Sequence, residues 1–198
     1  MDVRKLTEDK KFALLYGILL GDGCLSYSFS QNKPHYFIVV TGNLYSDKPF
    51  FEKIVLPVFT YFRKKQIAVK ERKRYEALEI NFCDKYLFNK IHHAGFRIGI
   101  KGPNITLPKK LNNKKLLKHI VQGFFATDGC LSITKNNNYF YPRIVIKTIH
   151  KKLMKTLYKY LLSIGLEGSF LSAKKIEDQV IWSLNNRHIY SSFMDITT

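Results

Sequence analysis

Apolar residues recur at helical spacing through Phe12, Leu15, Ile18 and Leu19 and stop at Gly23, a pattern that predicts a helix opened by Thr7 or Asp9. From Leu25 to Ser30 apolar and small polar residues alternate, the period of a strand with one buried face, and His35 to Thr41 follows across a polar turn as its hairpin partner. Leu25, Tyr27 and Phe29 are expected to face the helices, with Ser26, Ser28 and Ser30 facing outward. Asp47 opens a second apolar-periodic run to about Phe62. A second hairpin, Ile67 to Arg72 with Tyr75 to Phe82, turns on basic residues, and Asp84 starts a third helix that ends near Gly95.

The same order then returns. A helix is predicted from about Lys114 to Asp128, strands near Leu131 to Lys135 and Arg143 to Thr148, a helix from His150 to Ile164, strands at Ser169 to Ala173 and Gln179 to Leu184, and a short final helix. Leu131 and Ile133 alternate with Ser132 and Thr134 as in the first half. Between the halves, 97–113 has no sustained periodicity and carries Gly99, Gly102, Pro103, Asn104, Pro108, Asn112 and Asn113, which marks a linker. The expected organisation is a half at 1–96, a linker at 97–113 and a half at 114–198.

One pattern joins the two halves: Leu15-Tyr-Gly-Ile-Leu-Leu-Gly-Asp-Gly23 and Val121-Gln-Gly-Phe-Phe-Ala-Thr-Asp-Gly129, each continuing into Cys-Leu-Ser. Each copy sets a lone carboxylate at the foot of an apolar helix, where the macrodipole disfavours it by about 0.3–1 kcal/mol. Doing so twice calls for a compensating cation. Gly17 and Gly21, like Gly123 and Thr127, are small residues four apart on one helical face, which lets two helix backbones approach closely. Packed side by side, the helices would deliver Asp22 and Asp128 to one end, and two carboxylates at short range repel unless protonated or bridged by metal. Oxygen ligands beside phosphate favour magnesium, so the pair reads as a site for phosphodiester hydrolysis.

These stretches resemble the paired motifs of the LAGLIDADG homing endonucleases in their monomeric two-motif form. The last acidic position of the motif falls on Asp22 and Asp128, and its glycines on Gly17, Gly23, Gly123 and Gly129. Leu20 and Ala126 stand where the family name spells an earlier aspartate, and Gly21 and Thr127 replace the small alanine. The resemblance implies an α+β fold of two pseudo-symmetric αββαββα halves, each a four-stranded antiparallel sheet with helices on one face, the motif helices packed together between them. It implies a site-specific double-strand DNA endonuclease cutting across the minor groove with Mg²⁺ and leaving short 3′ overhangs. Asp22 and Asp128, with the main chain at Gly21 and Thr127, would hold the metal; Mn²⁺ would substitute, and Ca²⁺ would bind without supporting cleavage. Lys147, in the strand after Ile144-Val-Ile146, takes the place of the family's active-site lysine, with Thr41 as its counterpart in the first half.

Composition supports a nucleic-acid partner by a separate route. The chain of 198 residues has 33 Lys+Arg against 15 Asp+Glu, a formal charge of +18, and so basic a protein expects a polyanion. If about ten phosphates are neutralised, the logarithmic salt slope on duplex DNA should be near −9, checked by a salt titration of binding. The longest apolar runs fall short of a membrane span and no charged-then-apolar leader opens the chain, so an intracellular protein is expected, in a prokaryotic cytoplasm or an organelle, and the resemblance implies a monomer. Three cysteines suggest neither a disulfide framework nor zinc and are expected to be reduced and buried.

The outer sheet faces are the expected DNA surface, because a two-stranded ribbon fits the major groove. The candidates there are Ser26, Ser28, Ser30, Gln31, Lys33, Thr41, Lys70, Arg72, Arg74, Ser132, Thr134, Asn136, Asn138, Arg143 and Lys174. Lysines would hold phosphates; Gln31, the 136–138 asparagines and Arg72 would read base edges. The same scaffold also suits an RNA maturase that assists intron splicing, or a cleavage-dead DNA-binding regulator. Retention of both aspartates favours cleavage.

Overall fold

The computed structural model describes residues 1–166, 168–172 and 178–183; Lys174 and the expected final helix lie outside them, as do the side chains of Thr134, Asn136, Arg143 and residues 169–183. The first half runs α1 (Glu8–Asp22), β1 (Gly23–Ser30), β2 (Lys33–Asn43), α2 (Lys48–Phe50), α3 (Leu56–Arg63), β3 (Val69–Arg72), β4 (Ala77–Cys83) and α4 (Lys85–His93). The second repeats it as α5 (Lys114–Asp128), β5 (Gly129–Asn136), β6 (Tyr139–Thr148), α6 (Lys151–Ser163), β7 (Ser169–Ser172) and β8 (Asp178–Ser183). Two four-stranded antiparallel sheets result, ordered β1-β2-β4-β3 and β5-β6-β8-β7. Their registers are equivalent. Gly23 lies opposite Val40 and Gly129 opposite Ile146, so one offset relates the two first hairpins, and a different one relates β4 to β8, where Ile80 lies opposite Val40 and Val180 opposite Ile146.

Local chemistry explains most boundaries. Asn113 and Asp84 cap α5 and α4, their carboxamide and carboxylate oxygens accepting from Leu116 N–H at 3.1 Å and Leu87 N–H at 2.9 Å. The tips of the two first hairpins hold Gln31 and Asn32 at φ 50° and 58°, and Asn137 and Asn138 at 46° and 63°, the left-handed pair that a two-residue hairpin turn requires. The expected helix from Asp47 to Phe62 is interrupted by a π-helical turn at Phe51–Val55, just before Pro57, whose missing N–H cannot continue the α-helical ladder. The strand expected from Tyr75 starts at Ala77 instead, because Lys73–Tyr75 forms a 3-10 turn closed by Glu76 at φ 48°.

The centre of the molecule is the packing of α1 on α5. From Ala13 to Leu20 every residue of α1 is buried, so this helix has no solvent face in its second half. A Cβ added to Gly17 would run into the Ile120 carbonyl, and one on Gly123 would lie 2.5 Å from the Leu14 oxygen and 2.7 Å from the Ile18 nitrogen. Backbone against backbone leaves nothing that can move aside. Gly123→Ala is expected to cost about 3 kcal/mol, the upper end for overpacking, and to lower the urea midpoint with the m-value unchanged.

Two expectations for side-chain burial are corrected. Leu25 is fully buried, but Tyr27 and Phe29 are 49% and 64% exposed, and Leu131 and Ile133 are 60% and 65% exposed. The strands project past the helical layer, so alternation sets the face but not its cover. Leu25 differs from Leu131 because the chain between the halves lies along β1: Ile98 bridges Leu25 in parallel, and Gly99 N–H donates to the Leu25 carbonyl at 2.7 Å. All three cysteines are free, yet Cys83 and Cys130 are exposed and Cys24 half-buried; the position after each motif glycine falls on the outer parity of its strand. The 97–113 stretch has little regular structure but is part of the core, with Ile105, Leu107 and Leu111 buried.

Candidate active site

Close approach of the two helices brings their carboxylates together. At Gly21 a Cβ would meet the Thr127 hydroxyl and lie 3.4 Å from the carboxyl carbon of Asp128, so absence of a side chain at Gly21 is what admits Asp128 to the end of α1. Thr127 turns its hydroxyl back along its own helix, donating to the Phe124 carbonyl at 2.9 Å. Asp22 and Asp128 are the last residues of their helices, and each is followed by an extended glycine whose N–H caps the preceding turn.

Burial disfavours both charges. The Asp22 carboxyl is pushed up to about 6 by burial, by the charge of Asp128 and by that of Asp47; Asp128 is raised as well, chiefly by burial. The ammonium of Lys101 opposes this on both sides. It donates to the main-chain carbonyls of Leu20 at 2.7 Å and Leu19 at 3.3 Å, and to that of Gly21. The Leu20 and Gly21 carbonyls are among those that the end of an α-helix leaves without main-chain partners, while that of Leu19 also accepts from Gly23 N–H. Burial pulls the Lys101 ammonium below the ordinary lysine range, while Asp128 and Asp22 pull it back.

Lys101 was not legible in the sequence. It sits in the glycine- and proline-bearing stretch between the halves, without a motif, and only the fold of that stretch along β1 carries it to α1. Lys147, expected in this role, is exposed on β6 opposite Gln179, on the outer parity of the sheet. Thr41 is its equivalent by register and is also exposed. Asp47 is a second residue that sequence reading missed as a neighbour of Asp22; its carboxylate accepts from Asn43 N–H at 2.7 Å. The surroundings of the two aspartates are therefore unequal.

The donor set suits a hard divalent cation. Two half-buried carboxylates with raised affinity for protons stand at the ends of the paired helices, and among the described residues no three His, Cys, Asp or Glu side chains converge. Magnesium asks for only one or two protein carboxylates and fills the rest of its shell with water and phosphate oxygen. Asp22 and Asp128 would hold it, with the Gly21 and Thr127 carbonyls beside them.

On the outer faces, Ser28, Ser30, Gln31, Lys33, Thr41, Lys70, Arg72, Arg74 and Asn138 are exposed and Ser26 and Ser132 half-buried. Arg72 is not free to read a base with its whole fork. Its Nε and one Nη donate to Glu79 at 2.7 and 3.0 Å, and Asn81 donates to the same carboxylate at 3.3 Å. Only its remaining donors can turn to DNA. The left-handed backbone at Gln31 and Asn138 gives those residues a turn reason for their place, alongside any contact they make. Among the described residues no helix is long and apolar enough to cross a membrane.

Comparison with known proteins agrees with this architecture. Residues 116–192 match the family model of the LAGLIDADG-like domain. Over 171 residues, 85% of this chain, the sequence is 25% identical to an uncharacterised protein of Methanocaldococcus jannaschii, of which it spans 60% of the length. The fold matches that of I-DmoI, solved in complex with DNA and calcium, with a TM-score of 0.67 and 16% identity over 96% of this chain and 90% of that one. It also matches I-LtrWI bound to target DNA, with a TM-score of 0.60 and 10% identity over 96% and 83% of the two chains. I-AabMI bound to uncleaved DNA gives a TM-score of 0.58 and 13% identity over 92% and 82%.

Proposed function

We propose that this chain, which has the LAGLIDADG homing endonuclease fold in its single-chain two-motif form, is a site-specific double-strand DNA endonuclease that hydrolyses one phosphodiester on each strand. The observation that carries the reading is the convergence of Asp22 and Asp128, both half-buried and both with their charge disfavoured, at one end of a glycine-packed helix pair. A structural helix pair has no use for two repelling carboxylates in its least favourable position. Support comes also from the charge of +18 and from neighbours of the same fold solved on DNA, I-DmoI among them with calcium, manganese or magnesium.

Magnesium, when bound, would polarise the scissile phosphate and favour an ionised water. Asp22 and Asp128 would hold it. Lys101 sets a positive charge beside both carboxylates, where it can stabilise charge that develops on phosphate oxygen or orient the attacking water. Lys147, Lys33 and Lys70 take phosphates along the outer faces, and the serine and asparagine positions of β1, β5 and their tips face the bases. Because cutting both strands requires both phosphates at one paired site, the central base pairs must deform, and their sequence matters without direct contact. A long target, short 3′ overhangs and action as a monomer complete the reading.

A randomised plasmid library tests it. Linear molecules recovered only with Mg²⁺, only from wild type, and sharing one sequence at their ends establish the endonuclease; binding of one sequence with every plasmid intact moves the reading to a regulator, or to a maturase if RNA binds more tightly. The unequal surroundings of Asp22 and Asp128 add a kinetic expectation. In single turnover the two strands are cut at different rates through a nicked intermediate, and equal rates would contradict it.

A further inference from the structure

The outer face of the first sheet holds a carboxylate sunk among its side chains. Glu79, on β4, is 8% exposed and lies between Thr41 of β2 and Lys70 of β3. A negative charge on this face repels phosphate, whereas the chain as a whole, at +18, attracts it. Both of its oxygens are taken. Arg72, from the edge strand β3, donates to Oε2 through Nε at 2.7 Å and to Oε1 through Nη2 at 3.0 Å, and Asn81 donates to Oε1 at 3.3 Å. Glu79 is therefore occupied by its own sheet and is no reader of bases itself.

Stability alone does not account for the pair. A surface ion pair contributes little, and burying a carboxylate to form one works against it. What the arrangement does is set the guanidinium. Two parallel bonds to one carboxylate use the inner edge of the fork, and the planar group then fixes its outer edge, where Nη1 and the second hydrogen of Nη2 stand side by side. The Arg72 side chain is 48% exposed, so solvent reaches it. Guanine offers O6 and N7 to such a fork in the major groove. Phosphate would accept it too, but through charge, and Glu79 cancels that charge; the exposed Lys33 and Lys70 serve phosphate better. A neutral base edge asks for geometry, which the carboxylate supplies, and the rotamer freedom of Arg72 is given up before DNA arrives rather than on binding. In the second sheet Gln179 lies opposite Lys147 as Glu79 lies opposite Thr41, and a glutamine cannot cancel a guanidinium charge. The pairing belongs to the first half.

We propose that Glu79 is a positioning residue that makes Arg72 the reader of one guanine in the half of the target under the first sheet. The inference rests on the sequence-specific DNA binding of the proposed function and not on cleavage.

Sites selected by the full chain from a randomised duplex pool, in EDTA so that no strand is cut, test it. Wild type should prefer guanine at one position by about tenfold or more, and Arg72→Lys and Glu79→Ala should each bring that preference to about twofold or less, there alone. Glu79→Ala should also bind unselected DNA more tightly, with a salt slope steeper by about one, because the freed guanidinium becomes a phosphate contact. Should Glu79→Ala prevent folding, the nearly isosteric Glu79→Gln decides it through a loss of about threefold or more at the same position. A wild-type consensus without that guanine overturns the proposal. So does a preference that survives in the Glu79 variants, which leaves the pair a strand contact, or a loss spread evenly over all positions. If the guanine depends on both residues and wild type cuts no target in Mg²⁺, the endonuclease reading fails and this one stands; cleavage of a target with no such guanine sinks only this one.

Discussion

Replacing either motif aspartate should abolish cleavage and yet make the metal-free protein more stable. Asp22→Asn and Asp128→Asn each remove a carboxylate that would hold the metal, a loss of about 10³-fold or more in cleavage rate. The stability change has the opposite sign. In the folded chain the Asp22 carboxyl sits at about 6, above its ordinary 3.8, so the protonated form is the one the fold prefers. That stability is fully present below about pH 4 and is lost as pH rises through 6. Because Asp22 is only partly buried, screening reduces the loss to about 1–2 kcal/mol. An asparagine does not ionise, so in EDTA the melting temperature of Asp22→Asn should exceed that of wild type at pH 7.5 by several degrees and match it near pH 4. Comparing the two proteins cancels the salt-bridged carboxylates Glu8, Glu71 and Glu79, whose pKa values are lowered and whose contributions fade in acid. A variant less stable than wild type at pH 7.5 would mean that the aspartate charges are compensated in the free protein.

Lys101→Met should show the second large effect. The thioether chain fills the same volume but offers no donor, leaving the carbonyls of Leu20 and Gly21 without the ammonium; that of Leu19 keeps Gly23 N–H. Buried acceptors left unpaired cost about 1–3 kcal/mol, and the two aspartates lose the cation that opposes their repulsion. Metal-free stability should fall by roughly that amount at pH 7.5. Combining Lys101→Met with Asp22→Asn should recover part of it, because the repulsion is then gone. Cleavage should fall about 10²-fold or more, with target affinity nearly unchanged, since the lysine serves the reacting phosphate and not the groove. Affinity that falls as far as the rate would make Lys101 one more phosphate contact. Lys147→Met is the control: exposed on the outer face, it should weaken binding and flatten the salt slope by about one while sparing the rate of bound complex.

The depth of the site and the openness of the DNA surface follow from one arrangement. Helices with glycine at the contact pack backbone to backbone, so the carboxylates at their ends are drawn into the core boundary, where their charge is costly and a bound cation gains most. The sheets spread from the same two helices, and their outer parity carries hydroxyl, amide and basic groups into solvent. Glu79 is the exception, a carboxylate 8% exposed on that face. Its pairing with Arg72 fixes the guanidinium rather than leaving it mobile.

The sequence by itself determined the repeat, the order of the main helices and strands, the two aspartates and the small residues that let their helices touch. Each of these is written in local signals: a period of 3.6 or 2, an amide at a cap, a glycine where a Cβ would meet a facing backbone. Tertiary structure decided the rest. It placed Lys101 at the α1 carbonyls and Asp47 beside Asp22, and it clamped Arg72 on Glu79. It also left Leu131 exposed where Leu25 is covered. The place of Lys101 and the cover on Leu25 depend on how the irregular stretch between the halves runs along β1, and such a path is set by long-range packing and main-chain hydrogen bonds that carry no periodic signature. A motif can announce the charges that need a partner; which cation answers them is fixed only when the chain closes on itself.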